Sequence, residues 1–224
     1  MRSPQTGPAI LQAGTSPEGK AFAARHADAI FAIQPRATDA AALYDDIQSL
    51  VSDFGREPDH CRLLFGIQPI IGRSEAHARE LEAEHNGLVP LEAGMTILSA
   101  HLDFDLSTLD PDEAIADRTE PELQRLRTRY LRPDGSSMTV AEVAQKHGQS
   151  VGIPQMVGTP QSVTDQLEAF IDEAGGDGFM LSPISCPGAI EDFVELIVPE
   201  LQRRGRYRSC YRGSTQRDHL RQND

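Results

Sequence analysis

The stretch "QAGTSPEG" (12–19) holds the first residues whose types and spacing could do chemistry. A short apolar run ends at Gly14, two hydroxyls follow at Thr15 and Ser16, and then come Pro17 and Glu18. Gly14 lets the backbone turn and approach a ligand closely. Pro17 suits the first helical position, which leaves nearby backbone N–H groups free to face an anion. The hydroxyls add donors. The same residues also make an ordinary capped helix, for which Glu18 is a normal first-turn choice. The residues alone leave both readings open.

Other stretches carry weaker signals. "VGTPQS" (157–162) repeats the pattern, with Thr159 as N-cap and Pro160 at the first helical position, and reads as a helix start. "HLDFDLSTLDPDEA" (101–114) invites a calcium-loop reading. Counted from Asp103, position six is Thr108 rather than Gly and position twelve is Ala114 rather than Glu, so it reads as an acidic loop. The histidines show neither HxxxH nor HExxH spacing, so no metal site is expected. His26 reads as structural on its helix, and His147 has no assigned place. The chain has no GxGxxG, no GxxxxGK[ST] and no GxSxG, which argues against a Rossmann site, a P-loop and a hydrolase elbow.

Composition narrows the partners. A net charge of −13 argues against nucleic acid and against an anionic membrane surface. The one basic cluster, "QRRGRYRSCYRG", is short and reads as a solvated tail. No apolar run is long enough to span a bilayer, and "MRSPQTGPAI" lacks the apolar core of a signal peptide. Three widely spaced cysteines, Cys61, Cys186 and Cys210, suggest neither a zinc site nor a disulfide framework and fit a reducing cytoplasm.

The elements that must position these residues alternate. Four β-like runs lie at 8–14, 27–33, 62–72 and 177–183. Helical patterns occupy 18–28, 38–54, 74–85, 161–174 and 189–203, with Leu43, Ile47 and Leu50, or Val163, Leu167 and Phe170, on one face. Strand–helix alternation predicts βαβ units and a parallel sheet. The rhythm breaks at 86–156, which reads as an insertion of helices and loops before the last strand, with a turn at 131–139 and a short helix at 139–148. Four parallel strands fit an open sheet or half of a barrel, and periodicity does not choose between them.

Four stretches together resemble the flavin-dependent monooxygenases of the bacterial-luciferase superfamily. They are "ILQAGTSPEGKAFAARHADAIFA", "LLFGIQPIIGRSEAHARE", "VGTPQSVTDQLEAFIDEAGGDGFMLSP" and "CPGAIEDFVELIVPELQRRGRYR". The nearest branch holds nitrilotriacetate monooxygenase component A and the related sulfone, dimethyl-sulfide and long-chain-alkane monooxygenases. The resemblance implies that 1–224 is a partial domain of that kind, the C-terminal portion of a TIM-type (β/α)8 barrel. Its opening looks like the family's fifth barrel strand. The resemblance further implies that the turn at Gly14, Thr15 and Ser16 contacts the phosphate of FMN. Reduced FMN would come from a separate flavin reductase, and a small organic substrate would be oxygenated with O2. Met180, Ser182 and Pro183 would edge the cleft, with Cys186 a bland thiol in the following loop. No catalytic residue is assigned, because the family's catalytic side chains lie mostly in the first half. Half a barrel leaves strand edges open, so association, with a homo-oligomer among the outcomes, and a non-catalytic remnant or association module are the competing expectations.

Overall fold

The structure, a computed structural model, describes residues 3–132 and 134–222. The chain divides into two compact units, one formed by residues up to Ala78 and from Ile153 on, the other by Arg79–Gly152.

Among the described residues the first unit carries five parallel strands: β1 (Leu11–Ala13), β2 (Ala29–Ala32), β3 (Arg62–Ile71), β4 (Gln155–Gly158) and β5 (Gly178–Leu181). Helix α1 (Pro17–His26) connects β1 to β2, α2 (Ala37–Asp53) connects β2 to β3, and α7 (Pro160–Ala174) connects β4 to β5. After β5 the chain forms α8 (Gly188–Asp192), a π-turn over Phe193–Ile197 and α9 (Val198–Arg203), and later α10 (Gln216–Arg221). The βαβ expectation therefore holds. The strand count is corrected from four to five, because β4 lies where the sequence reads as the end of an insertion and the start of a helix cap. β3 explains how the extra strand fits. Its ten residues pair with β2 over Arg62–Phe65, with β5 over Leu64–Ile67 and with β4 over Gln68–Ile71.

A continuous apolar strand is what a parallel sheet buried on both faces requires, and β3 is buried along most of its length. Side chains alternate across a strand. Ile30, Leu63, Phe65 and Ile67 pack with Leu43 and Ile47 of α2 and Val163, Leu167 and Phe170 of α7. Phe31 and Gly66 fall on the opposite face, where a Cβ on Gly66 would stand 2.9 Å from the Phe31 ring. Arg56 closes the end of α1, its guanidinium donating to the carbonyls of Ala24 (2.8 Å) and Ala27 (2.7 Å).

The second unit is helical, with the C-terminal part of α3 (Glu75–Gly87), α4 (Leu91–Leu102), α5 (Pro121–Arg129) and α6 (Val140–Ser150). Its own core gathers Leu98, Leu102, Leu123, Leu126, Val140 and Val143. Helices α4 and α6 cross closely at Gly94, where a Cβ would stand 2.5 Å from the Ala144 carbonyl oxygen. A capping box starts α6, Thr139 and Glu142 exchanging hydrogen bonds. The expected turn at 131–139 is closed by an antiparallel bridge between Leu131 and Ser137; its Pro133 lies outside the described residues.

Candidate functional site

Strands β1 to β5 are parallel, so the turns that follow them collect at one end of the sheet, the end where α/β folds bind ligands. The turn after β1 carries Gly14, Thr15 and Ser16, all exposed. Gly14 has φ +106°, a conformation that L side chains rarely adopt. Ser16 is the N-cap of α1, and its Oγ accepts from the Gly19 amide at 3.1 Å. Pro17 opens the helix and Glu18 sits in its first turn. Lys20, the cation next along α1, is engaged by Asp46 of α2. An anion at this turn would meet backbone N–H groups and hydroxyls rather than a lysine.

Sequence reasoning missed Gln12, just below the turn. Its Nε2 donates to the Ala13 carbonyl at 2.7 Å. Among the described residues its Oε1 is buried without a hydrogen-bond partner. A Cβ on Gly19 would stand 3.1 Å from Gln12 Nε2 and 3.3 Å from Ser16 Oγ, so the glutamine amide underlies the cap. The signal available was a polar side chain inside a short apolar strand.

The start of α7 is built differently. Thr159 caps it, Oγ1 accepting from the Ser162 amide at 3.3 Å. The Thr159 amide itself donates to the Glu75 carboxylate at 3.1 Å. That N-terminus therefore already faces an anion from within the chain, which agrees with its reading as a helix start.

Met180 within β5, and Ser182 and Pro183 just after it, are half-buried, and Cys186 in the following loop is exposed. Gln68 is a second residue that sequence reasoning missed. It is buried in β3 and accepts through Oε1 from the side-chain Nε2 of Gln155 in β4 at 2.7 Å. A glutamine inside "RLLFGIQPII" was the clue. Cys61 is buried, and burial pushes its thiol up to about 11.

His147 lies in the second unit. Its Nδ1 is 2.7 Å from the Tyr130 hydroxyl and its Nε2 is 2.9 Å from His101 Nδ1. Burial, then the nearby His101 and Arg129, lower it to about 4, so the ring is neutral at physiological pH. Among the described residues no helix is long and apolar enough to cross a membrane.

With this turn and this parallel sheet in view, comparison with known proteins is decisive. The family model for luciferase-like monooxygenases matches residues 1–178. The chain belongs to that family. It is 37% identical over 227 residues to dibenzothiophene-sulfone monooxygenase of Rhodococcus erythropolis, a match covering 98% of this chain and 50% of that protein. Among solved structures it superposes on DmoA from Hyphomicrobium sulfonivorans with a TM-score of 0.87 at 32% identity, covering 97% of this chain and 46% of that one. It superposes on a riboflavin lyase, solved with a modified FMN and riboflavin, with a TM-score of 0.81 at 27% identity, covering 98% and 48%. The chain thus spans about half the length of these luciferase-like monooxygenase relatives, and its parallel sheet and helices match the corresponding portion of their TIM-type barrels.

Proposed function

We propose that this chain is part of a two-component FMN-dependent monooxygenase in which the turn at Gly14, Thr15 and Ser16 holds the flavin phosphate. The observation that carries the reading is the α1 N-terminus. It follows the first strand, opens on a positive-φ glycine, presents two exposed hydroxyls and has its nearest lysine engaged elsewhere. Helix N-terminal amides and hydroxyls suit a phosphate dianion. Gln12 Oε1, buried and unpaired beside this turn, supplies an acceptor for a hydroxyl of the same ligand.

When bound, reduced FMN supplies the activation of O2 for oxygenating a small organic substrate. The chain's own residues contribute binding and orientation: Gly14 gives close backbone approach, Thr15 and Ser16 donate from their hydroxyls, and Gln12 fixes the strand end beneath them. The flavin reductase follows from resemblance to the branch that contains nitrilotriacetate monooxygenase component A. On the same reading, residues 1–224 form one partial luciferase-like domain with an insertion at 86–156, working in the cytoplasm.

The test separates a phosphate site from a mere cap. Ser16→Asp preserves capping, since aspartate is among the best N-caps, but sets a negative charge where the phosphate would sit. Titrating the purified chain with FMN and with riboflavin, followed by flavin fluorescence, is expected to show tighter binding of FMN. S16D should weaken FMN by roughly tenfold or more while leaving riboflavin unchanged, the size of one lost charge-assisted hydrogen bond. Equal affinity for both flavins, or FMN binding untouched by S16D, would overturn the reading.

A further inference from the structure

We infer that the second unit holds a site for a divalent transition-metal ion, Cu2+ above all, between His101 of α4 and His147 of α6. Nδ1 of His101 and Nε2 of His147 face each other at 2.9 Å. Imidazole nitrogen is the commonest protein ligand of such ions. The two side chains come from separate helices, 46 positions apart, so no short motif announces them. Those helices are held close together where Gly94 meets the Ala144 carbonyl, which fixes the backbones that carry the pair. Every part of the site lies within Arg79–Gly152, so it is independent of the flavin reading.

The distance selects the ion. Metal–nitrogen bonds are about 2.0–2.1 Å long. Two nitrogens 2.9 Å apart then subtend about 90° at a bound ion, the angle between neighbouring ligands of a tetragonal Cu2+ centre. A tetrahedral Zn2+ would need them roughly 3.3 Å apart. Cu2+ also binds nitrogen most strongly of the divalent first-row ions. Among the described residues no group of three or more His, Cys, Asp and Glu could hold a metal, so the protein supplies two ligands and water completes the shell.

A second observation concerns the far side of His147. Its Nδ1, turned away from His101, is 2.7 Å from the Tyr130 hydroxyl. With an ion on Nε2, Nδ1 carries the ring proton and donates it to the Tyr130 oxygen. Metal-bound histidines are oriented in this way by a hydrogen bond from their other nitrogen. Tyr130 and His147 are both buried, so the inner half of the site is preformed, whereas His101 is exposed and gives the ion a path from water. Without metal the facing nitrogens share one proton. The ion displaces that proton and makes two coordinate bonds in place of one hydrogen bond.

Copper titration of the purified chain in glycine buffer tests this, the glycine masking weak binding at scattered histidines. One Cu2+ per chain is expected, with an electron paramagnetic resonance signal coupled to two imidazole nitrogens and a raised melting temperature. Zn2+ should bind more weakly. His101→Ala, at an exposed position, should keep the fold, weaken copper by roughly tenfold or more and remove one nitrogen from the signal. Tyr130→Phe should keep both nitrogens and weaken binding by roughly tenfold. His26→Ala, at an exposed position in the first unit, should change nothing. No stoichiometric copper, binding indifferent to H101A, or a signal without imidazole nitrogens overturns the proposal and leaves the pair as a plain hydrogen bond.

Discussion

Asp28 and Arg217 stand 189 positions apart in sequence and meet in a two-pronged ion pair, Nε to Oδ1 at 2.7 Å and Nη2 to Oδ2 at 3.1 Å. Arg217 also donates to the carbonyls of Gln5 (2.6 Å) and Pro8 (3.0 Å), and Asp28 accepts from the Ile10 amide at 3.0 Å. Asp28 immediately precedes β2, so this cluster ties the lead-in to β1, the start of β2 and α10 together. Nearby, Arg62 pairs with Asp177 at 2.7 Å and donates to the Leu220 carbonyl at 3.0 Å, which fastens the same C-terminal helix to β3 and β5.

Removing Arg217 leaves the buried Asp28 carboxylate with the Ile10 amide and the more distant Arg221 only. Arg217→Ala should lower the urea midpoint, and Arg217→Lys should recover only part of the loss, because the fork is lost. Burial pushes the Asp28 carboxyl up, but the Arg217 guanidinium, the Ile10 amide and Arg221 outweigh it and hold the group below its ordinary 3.8. A depressed carboxyl stabilises the fold above the unfolded value and loses that contribution as pH falls through the folded one. The stability gap between the unaltered chain and R217A should therefore be full near neutrality and shrink below about pH 4.

The turn after β1 makes a local prediction. Ser16→Ala removes the acceptor for the Gly19 amide and should cost about 1 kcal/mol, whereas S16D should be nearly neutral. Gly14→Ala forces a side chain to φ +106° and should cost about 1–2 kcal/mol. Thermal melts of the three variants check the order.

His147 gives the second unit a pH response. Its folded value, about 4, lies below the ordinary 6.5, so the unfolded chain binds a proton that the folded chain does not. Stability is full above about pH 6.5 and falls as pH drops toward 4, by an amount on the order of 3 kcal/mol. Denaturation between pH 4 and 7 should show this slope, and His147→Gln should flatten it. Tyr130→Phe should raise the ring's titration little, since burial is the largest cause.

The cysteines should divide by exposure. Cys186 and Cys210 are exposed and Cys61 is buried with its thiol pushed up. An aromatic disulfide reagent should modify the first two in the native chain and Cys61 only after unfolding. Native labelling of Cys61 would mean that the layer between β3 and α2 opens.

The local pieces of this fold were legible because their causes are local. Thr159, Pro160 and Gly175 bound α7 within a residue of where their capping chemistry puts it. The Gly14–Ser16 turn sits where a glycine and a capping hydroxyl demand it. β4 was not legible. Four residues after Pro154 carry too little periodicity to register, and they become a strand only because β3 is long enough to offer Gln68–Ile71 as a partner.

By itself, the sequence determined the alternation of strand and helix, the caps and the parallel sheet, since propensity, capping and apolar spacing act over a few residues; the family was legible through the resemblance of four stretches taken together. Only the tertiary structure decided what meets across the chain. Asp28 with Arg217, Gln68 with Gln155, and the Tyr130–His147–His101 chain all depend on pairings separated by 17 to 189 residues. No local preference encodes such pairings. They are settled when burial of the shared core sets which charges and amides must find partners.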